Sequence, residues 1–217
     1  MIDVDDFRVA LAAAYVRGLL PDLEPGLSDA ALISRGRAAG LKLHRFKRSM
    51  ELPRVRAVIG VLKALEPSSV LDIGTGRGVF LWPLLESFPE LSVTAVEPDA
   101  RRRGHLEAVR RGGFDRLTVL GADASRLDLP DRSFDVVTAL EVLEHQHDPG
   151  PMASEAVRLA RRFVIASVPS KPDDNPEHVR LFTRASLEAL FKRAGAANVR
   201  IDYVLNHIVA VARTGCA

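Results

Sequence analysis

A run of nine residues that ends in three glycines is the part of this chain whose residue types and spacing are best suited to chemistry. Residues 70–78 read Val-Leu-Asp-Ile-Gly-Thr-Gly-Arg-Gly. The apolar residues Val70, Leu71 and Ile73 are typical of a strand that is buried on both faces. Glycines after such a strand let the backbone bend sharply and approach a bound molecule without an intervening Cβ. The segment therefore predicts a strand, a ligand-binding turn and a following helix.

An acidic residue lies at the end of the next apolar segment, where nucleotide-binding folds use a carboxylate. Glu97 ends the sequence Val-Thr-Ala-Val-Glu, about 20 residues after the glycines, the spacing at which a carboxylate binds ribose hydroxyls. The glycine pattern differs from that of dinucleotide-binding folds, because Gly76 is followed by Arg77-Gly78-Val79 rather than by two residues and a glycine. An NAD-dependent oxidoreductase, or a non-catalytic nucleotide-binding module, is therefore the less favoured alternative.

The elements that must position these residues alternate between helices and strands. Apolar spacing predicts helices at 4–20, 28–40, 53–65, 78–87, 100–111, 151–161 and 184–194. Short apolar runs predict strands at 70–73, 92–97, 117–120, 134–139, 163–168, 199–203 and 208–212. Such alternation is typical of a parallel sheet with helices on both faces. The last two strands are joined by so short a link that they must be antiparallel. The predicted fold is α/β, a doubly wound seven-stranded sheet, mostly parallel, with a C-terminal antiparallel hairpin and an N-terminal helical cap.

Composition and charge limit the class of protein. With 217 residues, 47% of them hydrophobic, the chain is long enough for one sizeable domain with an appendage. An acidic start, Met-Ile-Asp-Val-Asp-Asp, does not resemble a secretory signal, and no apolar run is long enough to cross a membrane. The single cysteine, Cys216, can form no internal disulfide, which favours a cytoplasmic protein.

Basic residues are concentrated near the N-terminus, although the net charge is only +2. The segment 35–56 carries one acid, Glu51, and eight basic residues, namely Arg35, Arg37, Lys42, Arg45, Lys47, Arg48, Arg54 and Arg56. They form either a solvated helix face or a seat for a phosphate or another anionic substrate.

Four features at matching order and spacing carry a family resemblance. They are the glycine loop, Glu97, the sequence Gly-Ala-Asp-Ala at 121–124, and Arg-Ser-Phe-Asp-Val-Val at 132–137 running into Leu-Glu-Val-Leu-Glu-His at 140–145. Together they resemble the class I methyltransferases that use S-adenosylmethionine (SAM), over residues 55–213. The later part, with Phe-Thr at 182–183, is most similar to the small-molecule branch that includes the ubiquinone-biosynthesis enzymes.

The resemblance implies a SAM-binding methyltransferase domain, at residues 57–217, and we expect the N-terminal helices at residues 1–56 to form a cap or lid over it. The resemblance also implies roles for individual residues. The loop amides and the following helix suit the carboxylate of SAM, Asp72 its ammonium, and Glu97 its ribose. By the family pattern Asp123 accepts from the adenine amino group, and the backbone of Ala124 meets a ring nitrogen. The full predicted cofactor set is Asp72, Gly74, Thr75, Gly76, Gly78, Glu97, Pro98, Asp123, Ala124, Leu140 and Glu141.

Methyl transfer requires alignment of a nucleophile with the sulfonium methyl, and a base only where an oxygen or nitrogen must lose a proton. His145, Glu144 and Glu141 follow the fourth strand and are the catalytic candidates, although His145 could instead order its own loop. Lys171, His178 and Arg180 follow the fifth strand and are candidates for binding substrate. The expected reaction is methylation of a small-molecule acceptor at oxygen or nitrogen, and the basic segment favours an anionic acceptor.

A metal-dependent alternative remains open. Glu141, Glu144, His145 and His178 resemble the metal site of the RNA 3′-end 2′-O-methyltransferases, in which two carboxylates and two histidines hold a divalent cation. The favoured interpretation contains no metal. RNA is the less favoured partner because aromatic residues amount to 6% and no separate RNA-binding domain is evident. The sequence leaves the acceptor and the oligomeric state open.

Overall fold

A computed structural model describes residues 4–46 and 50–215. Cys216, together with Lys47 and Arg48 of the basic segment, lies outside the described residues. The helices are α1 Val4–Leu19, α2 Asp29–Ala38, α3 Pro53–Leu65, α4 Leu81–Ser87, α5 Ala100–Arg111, α6 Gly150–Leu159 and α7 Arg184–Arg193, with short 3-10 turns at Leu43–Arg45 and Leu143–His145. The strands are β1 Ser69–Ile73, β2 Ser92–Val96, β3 Leu117–Leu120, β4 Phe134–Leu140, β5 Ala160–Pro169, β6 Ala196–Val204 and β7 His207–Thr214.

The strands form one seven-stranded sheet in the order β3-β2-β1-β4-β5-β7-β6. Strands β1 to β5 pair in parallel, whereas β7 is antiparallel to both β5 and β6. The chain builds outward in one direction from β1 and then returns to add β4 on its other side. The order therefore reverses between β1 and β4, and open α/β sheets bind their ligands at the carboxyl ends of such strands. The predicted fold class is confirmed.

Apolar side chains cover both faces of the sheet. Residues of α6 and α7 pack on one face, and residues of α1, α3, α4 and α5 pack on the other. Helix α3 shows why these segments are helical. It begins with Pro53 in its first turn, buries Val55, Val58, Ile59 and Leu62 on one stripe, and ends at Glu66 in the left-handed conformation.

Several element boundaries differ from the predicted ones, by three residues at the starts of α4, β5 and β6 and by one or two residues elsewhere. Helix α4 begins at Leu81 rather than at residue 78, because residues 74–80 form the turn and Gly78 has a φ of 82°. Strand β5 begins at Ala160, directly after α6, rather than at residue 163. Ala160 pairs with Phe134, so β5 begins level with the first residue of the neighbouring strand β4.

The N-terminal helices are anchored on the domain by close packing of α1 against α5. Gly18 lies against the backbone of Ala108, and Gly112 lies against the backbone of Ala14. The guanidinium of Arg17 also donates to the carbonyl of Gly112 at 2.8 Å. The predicted boundary between residues 56 and 57 falls within α3, and the division into a cap and a methyltransferase domain stays a prediction. Over the described ranges, no helix combines the length and apolar character of a bilayer-spanning segment.

Candidate active site

The loop after β1 is built around glycines that no other residue could replace without strain. Gly74 has a φ of 68°, and a Cβ at this position would lie 2.5 Å from a methyl group of Val142. Gly78 is also left-handed, and the indole of Trp82 packs directly against its Cα. The amides of Gly74 and Thr75 both donate to the carbonyl of Val96, at 2.9 and 3.2 Å. The loop is therefore folded back across the carboxyl end of β2.

Asp72 is a buried acid at the base of this loop, with only 2% of its surface exposed. The hydroxyls of Thr75 and Thr138 each donate to one of its carboxylate oxygens, both at 2.8 Å. Burial raises the pKa of Asp72 from 3.8 to about 6, against the opposing effect of these two hydrogen bonds, and the nearby Glu97 raises it further. No cation among the described residues pairs with this carboxylate, so it offers an unneutralised negative charge to a ligand.

Glu97 connects the glycine loop to the end of β2. It is 2% exposed, and its two carboxylate oxygens accept from the amides of Gly76 at 2.7 Å and Asp99 at 2.9 Å. The sequence predicted a ligand-binding acid and did not predict this bracing role. A carboxylate has about four acceptor positions, so both oxygens retain capacity for ribose hydroxyls. Pro98, the next predicted residue, offers its carbonyl to the guanidinium of Arg103 at 3.1 Å.

Asp123 and Ala124 lie after β3, at the outer end of the same crevice. One oxygen of Asp123 accepts from the backbone amide and from the hydroxyl of Ser125, both at 2.8 Å. The hydrogen bond from the backbone amide of Ser125, in particular, lowers the pKa of Asp123, whose side chain is exposed. Ala124 is buried. The acid thus shapes a turn through one of its two oxygens.

A cavity of about 170 Å³, here called the cofactor cleft, opens beside the loop. Six of the predicted cofactor residues line it, namely Asp72, Gly74, Thr75, Gly76, Leu140 and Glu141. The remaining five (Gly78, Glu97, Pro98, Asp123 and Ala124) lie outside its lining. Arg54 of α3 also lines the cleft, so the N-terminal part of the chain contributes a cation to its wall.

Glu141 follows β4 in a strained backbone conformation, with a φ of 56°. Its carboxylate accepts from the hydroxyl of Ser167 at 2.8 Å and lies 3.1 Å from Nε2 of His207 and 3.7 Å from Nε of Arg54. Sequence reasoning missed the contacts of Glu141 with Arg54 and His207. The signals were weak, since Arg54 was one of eight basic residues and His207 merely precedes the last strand.

Glu144 and His145, which follow β4, meet His178 in a group outside the lining of the cofactor cleft. Their ligand atoms all lie within 4.8 Å of one another. Glu144 is fully buried, and neither of its carboxylate oxygens has a hydrogen-bond partner. Burial, followed by repulsion from Glu141, raises the pKa of Glu144 to about 8. Glu141 is not part of this group, so the structure brings together three of the four residues of the metal-dependent alternative.

The two histidines of this group are both held through Nδ1. Nδ1 of His145 lies 2.9 Å from the carbonyl of Glu177, and Nδ1 of His178 lies 2.8 Å from a carboxylate oxygen of Asp173. Their rings meet edge to face at 4.8 Å. The contact with Glu177 ties His145 to the loop after β5 rather than to its own loop at residues 146–149, and it does not use Nε2.

The other two predicted substrate residues are on the surface. Lys171 is exposed. The guanidinium of Arg180 is also exposed and donates to the carbonyl of His147 at 2.6 Å. Of the three residues proposed for the loop after β5, His178 alone joins the cluster.

Comparison with known proteins identifies the family. A family described as "Methyltransferase domain" matches residues 44–201. The chain belongs to this family. Membership, with the sheet order described above, confirms the resemblance to class I SAM-dependent methyltransferases, for which SAM is the methyl donor.

Two curated relatives of this methyltransferase act on small molecules according to their names. The 27-O-demethylrifamycin SV methyltransferase of Amycolatopsis mediterranei is 30% identical over 133 residues, which are 56% of this chain and 48% of that protein. The mitochondrial ubiquinone biosynthesis O-methyltransferase of Schizosaccharomyces pombe is 31% identical over 140 residues, 59% of this chain and 48% of that protein. The methyltransferase spans less than half the length of such curated relatives.

Solved structures share the fold. A SAM-dependent methyltransferase from Aquifex aeolicus superposes with a TM-score of 0.64 at 20% identity, covering 84% of this chain and 98% of that one. The N-terminal domain of EvdMO1, crystallised with S-adenosylhomocysteine (SAH), gives a TM-score of 0.59 at 20% identity, covering 75% of this chain and 80% of that one.

Proposed function

We propose that this methyltransferase transfers the methyl group of SAM to an oxygen of a small-molecule acceptor. One observation carries the proposal: the buried, unneutralised carboxylate of Asp72 opens onto a cleft whose glycine loop leaves no room for a Cβ at Gly74. That arrangement fits the ammonium end of SAM. The names of the rifamycin and ubiquinone relatives support oxygen as the accepting atom. Nitrogen is the alternative outcome.

Each part of the cleft has a task when SAM supplies its activated methyl group. Asp72 would hold the ammonium and Glu97 would hold the ribose. The amides of Gly74, Thr75 and Gly76 already donate within the protein, so the start of α4 would face the carboxylate of SAM. Glu141 would lie beside the sulfonium, which its negative charge favours. The remaining task of the protein is to align the acceptor oxygen with the methyl and to exclude water. Glu141 and His145 are the groups proposed to take its proton, and Glu144, whose pKa is raised to about 8, would do so only above that pH.

Arg54 supports an acceptor that carries a negative charge. Among the described basic residues of segment 35–56, Arg54 is the one that lines the cofactor cleft, and it lies near the side chain of Glu141. Arg37 instead lines a separate cavity of about 650 Å³ near α1 and α2, together with Arg8 and His44. We therefore propose that Arg54 binds the anionic group of the acceptor.

Methylation of hydroxybenzoates and their uncharged methyl esters tests this proposal. We expect SAH to bind in calorimetry, and we expect product mass to rise by one methyl group with the carboxylated acceptors. Arg54→Ala should raise the KM of an acid about tenfold, the effect of one charge-assisted hydrogen bond, and leave that of its ester within twofold. Arg56→Ala, on the exposed side of the same helix, is the matched control. A protein that binds neither SAM nor SAH would overturn the methyltransferase assignment.

A second candidate function is metal-assisted 2′-O-methylation of an RNA 3′ end. Its support is the group Glu144, His145 and His178, in which a buried carboxylate lacks any hydrogen-bond partner. A histidine held through Nδ1 leaves Nε2 as a ligand, an arrangement common around metal ions. These nitrogen and oxygen ligands suit Mn, Mg or Zn.

Elemental analysis and a Mn²⁺ titration separate this candidate from the first. If it is correct, the purified protein binds about one Mn²⁺ and methylates a short RNA only when metal is present. Glu144→Gln should then weaken Mn²⁺ binding by about 100-fold or more, because it removes the anionic ligand. Glu177→Gln changes an exposed neighbouring carboxylate and should leave binding unchanged. Full methyl transfer by metal-free protein would exclude this function.

A further inference from the structure

Arg103 occupies a position that the proposed cofactor roles leave unexplained. It is the third of three consecutive arginines at the start of α5, and it is half-buried whereas Arg101 and Arg102 are exposed. Its guanidinium donates to the carbonyl of Pro98 at 3.1 Å and to that of Glu97 at 3.4 Å. No ion pair with a carboxylate holds it among the described residues. The cation is therefore fixed by backbone carbonyls at the end of β2.

The same guanidinium lies against Gly121, the residue after β3. A Cβ at Gly121 would approach Cζ and Nη1 of Arg103 to 2.6 Å and Nε to 2.7 Å. The planar group thus bridges the carboxyl ends of β2 and β3. Glu97 lies on one side of it, and Asp123 follows two residues after Gly121.

We propose that Arg103 forms the wall on which the adenine ring of the cofactor stacks. This inference rests on the proposed function, which places the ribose at Glu97 and the adenine at Asp123 and Ala124. A planar guanidinium stacks on aromatic faces, and the attraction of a cation for a ring is strongest where the cation is partly removed from water. The half-buried Arg103 meets that condition, and hydrogen bonds from its Nη1 together with packing on Gly121 hold the guanidinium in place before the ligand arrives.

Two other roles for Arg103 make different predictions. As a simple brace between the ends of β2 and β3, it would support the folded protein and affect every ligand of the cleft alike. As a plug that fills the adenine subsite, it would have to move aside, and its removal would strengthen cofactor binding. Stacking alone makes the effect depend on the adenine ring.

The experiment compares two ligands in wild-type protein, Arg103→Ala and Arg102→Ala. SAH carries the adenine, and S-ribosylhomocysteine lacks it; NMR titration measures both weak and tight binding. We expect Arg103→Ala to raise the Kd for SAH about tenfold, which is the strength of one cation–π contact. The Kd for S-ribosylhomocysteine should change less than twofold. Arg102→Ala should change neither. In wild-type protein the Nε–H resonance of Arg103 should move upfield when SAH binds, since it would lie over the ring.

Each other result overturns the proposal. Tighter SAH binding in Arg103→Ala would indicate a plug, and equal weakening of both ligands with a lowered Tm would indicate a brace. Unchanged SAH binding would indicate that the guanidinium does not contact adenine. Failure of the wild-type protein to bind SAH would instead contradict the proposed function, which is a separate outcome.

Discussion

Glu97→Gln is expected to abolish measurable SAH binding and to lower the free energy of unfolding by about 3 kcal/mol. The carboxylate accepts two backbone amides in a site that is 2% exposed. A glutamine has one acceptor oxygen, so its amide group must face the N–H of either Gly76 or Asp99 as a second donor. The loop then loses one of its anchors, and the ribose loses its charged acceptor. Two charge-assisted bonds correspond to at least a 100-fold loss of affinity.

Thermal unfolding of the free protein and calorimetry with SAH measure the two effects separately. The calorimetry is done at a temperature where the variant is still folded, so that lost binding is not a consequence of unfolding. Glu90→Gln replaces an exposed carboxylate and should alter neither quantity. If folded Glu97→Gln protein bound SAH as tightly as wild type, Glu97 would be a structural brace and not a cofactor ligand.

The strands of the sheet could be predicted from the sequence because their apolar composition and the residues that end them are local properties of the chain. Apolar runs such as Val70–Ile73 have the composition of a doubly covered strand, and Pro53 and Gly195 mark element ends through their backbone preferences. The antiparallel final pair followed from the short link between β6 and β7. The start of α4 was predicted three residues too early because Gly78, which the prediction placed in the helix, is left-handed and belongs to the turn.

The partners of the site residues could not be predicted in the same way, because they depend on register between distant strands. His207 reaches Glu141 because β7 pairs with β5 so that His207 lies opposite Pro169, close to Ser167. Nothing in the local sequence of either residue specifies that pairing. Likewise, three consecutive arginines look alike in a sequence, and only the phase of α5 turns Arg103 toward Gly121.

Three acids of the proposed cofactor site are held in three different electrostatic environments. Asp72 is desolvated and lacks a cation, Glu97 is surrounded by amides, and Glu141 lies near Arg54 and His207. A positively charged group of the cofactor would compensate the charge of Asp72 more than that of the other two acids, because Asp72 is buried without a cation. The pH dependence of cofactor binding is therefore expected to report on Asp72.

Asp72→Asn is expected to stabilise the free protein above pH 6 while weakening SAH binding. The pKa of Asp72 is raised from 3.8 to about 6 by burial, so its contribution to stability is complete below pH 3.8 and is lost as pH rises through 6. The difference between these values corresponds to about 3 kcal/mol, the upper limit of what asparagine can restore at pH 8. Asparagine can still accept from one of the two threonine hydroxyls.

Binding has the opposite dependence, because the ammonium of SAH requires the ionised carboxylate. Wild-type affinity should be constant above pH 6 and should fall as the carboxylate becomes protonated, about tenfold for each pH unit below 6. Asp72→Asn should bind about 100-fold more weakly at pH 8 and show little change down to pH 5. Urea unfolding and calorimetry from pH 5 to 8 measure both trends, with the exposed Asp174→Asn as control. A wild-type affinity independent of pH over this range would mean that Asp72 does not contact the ammonium.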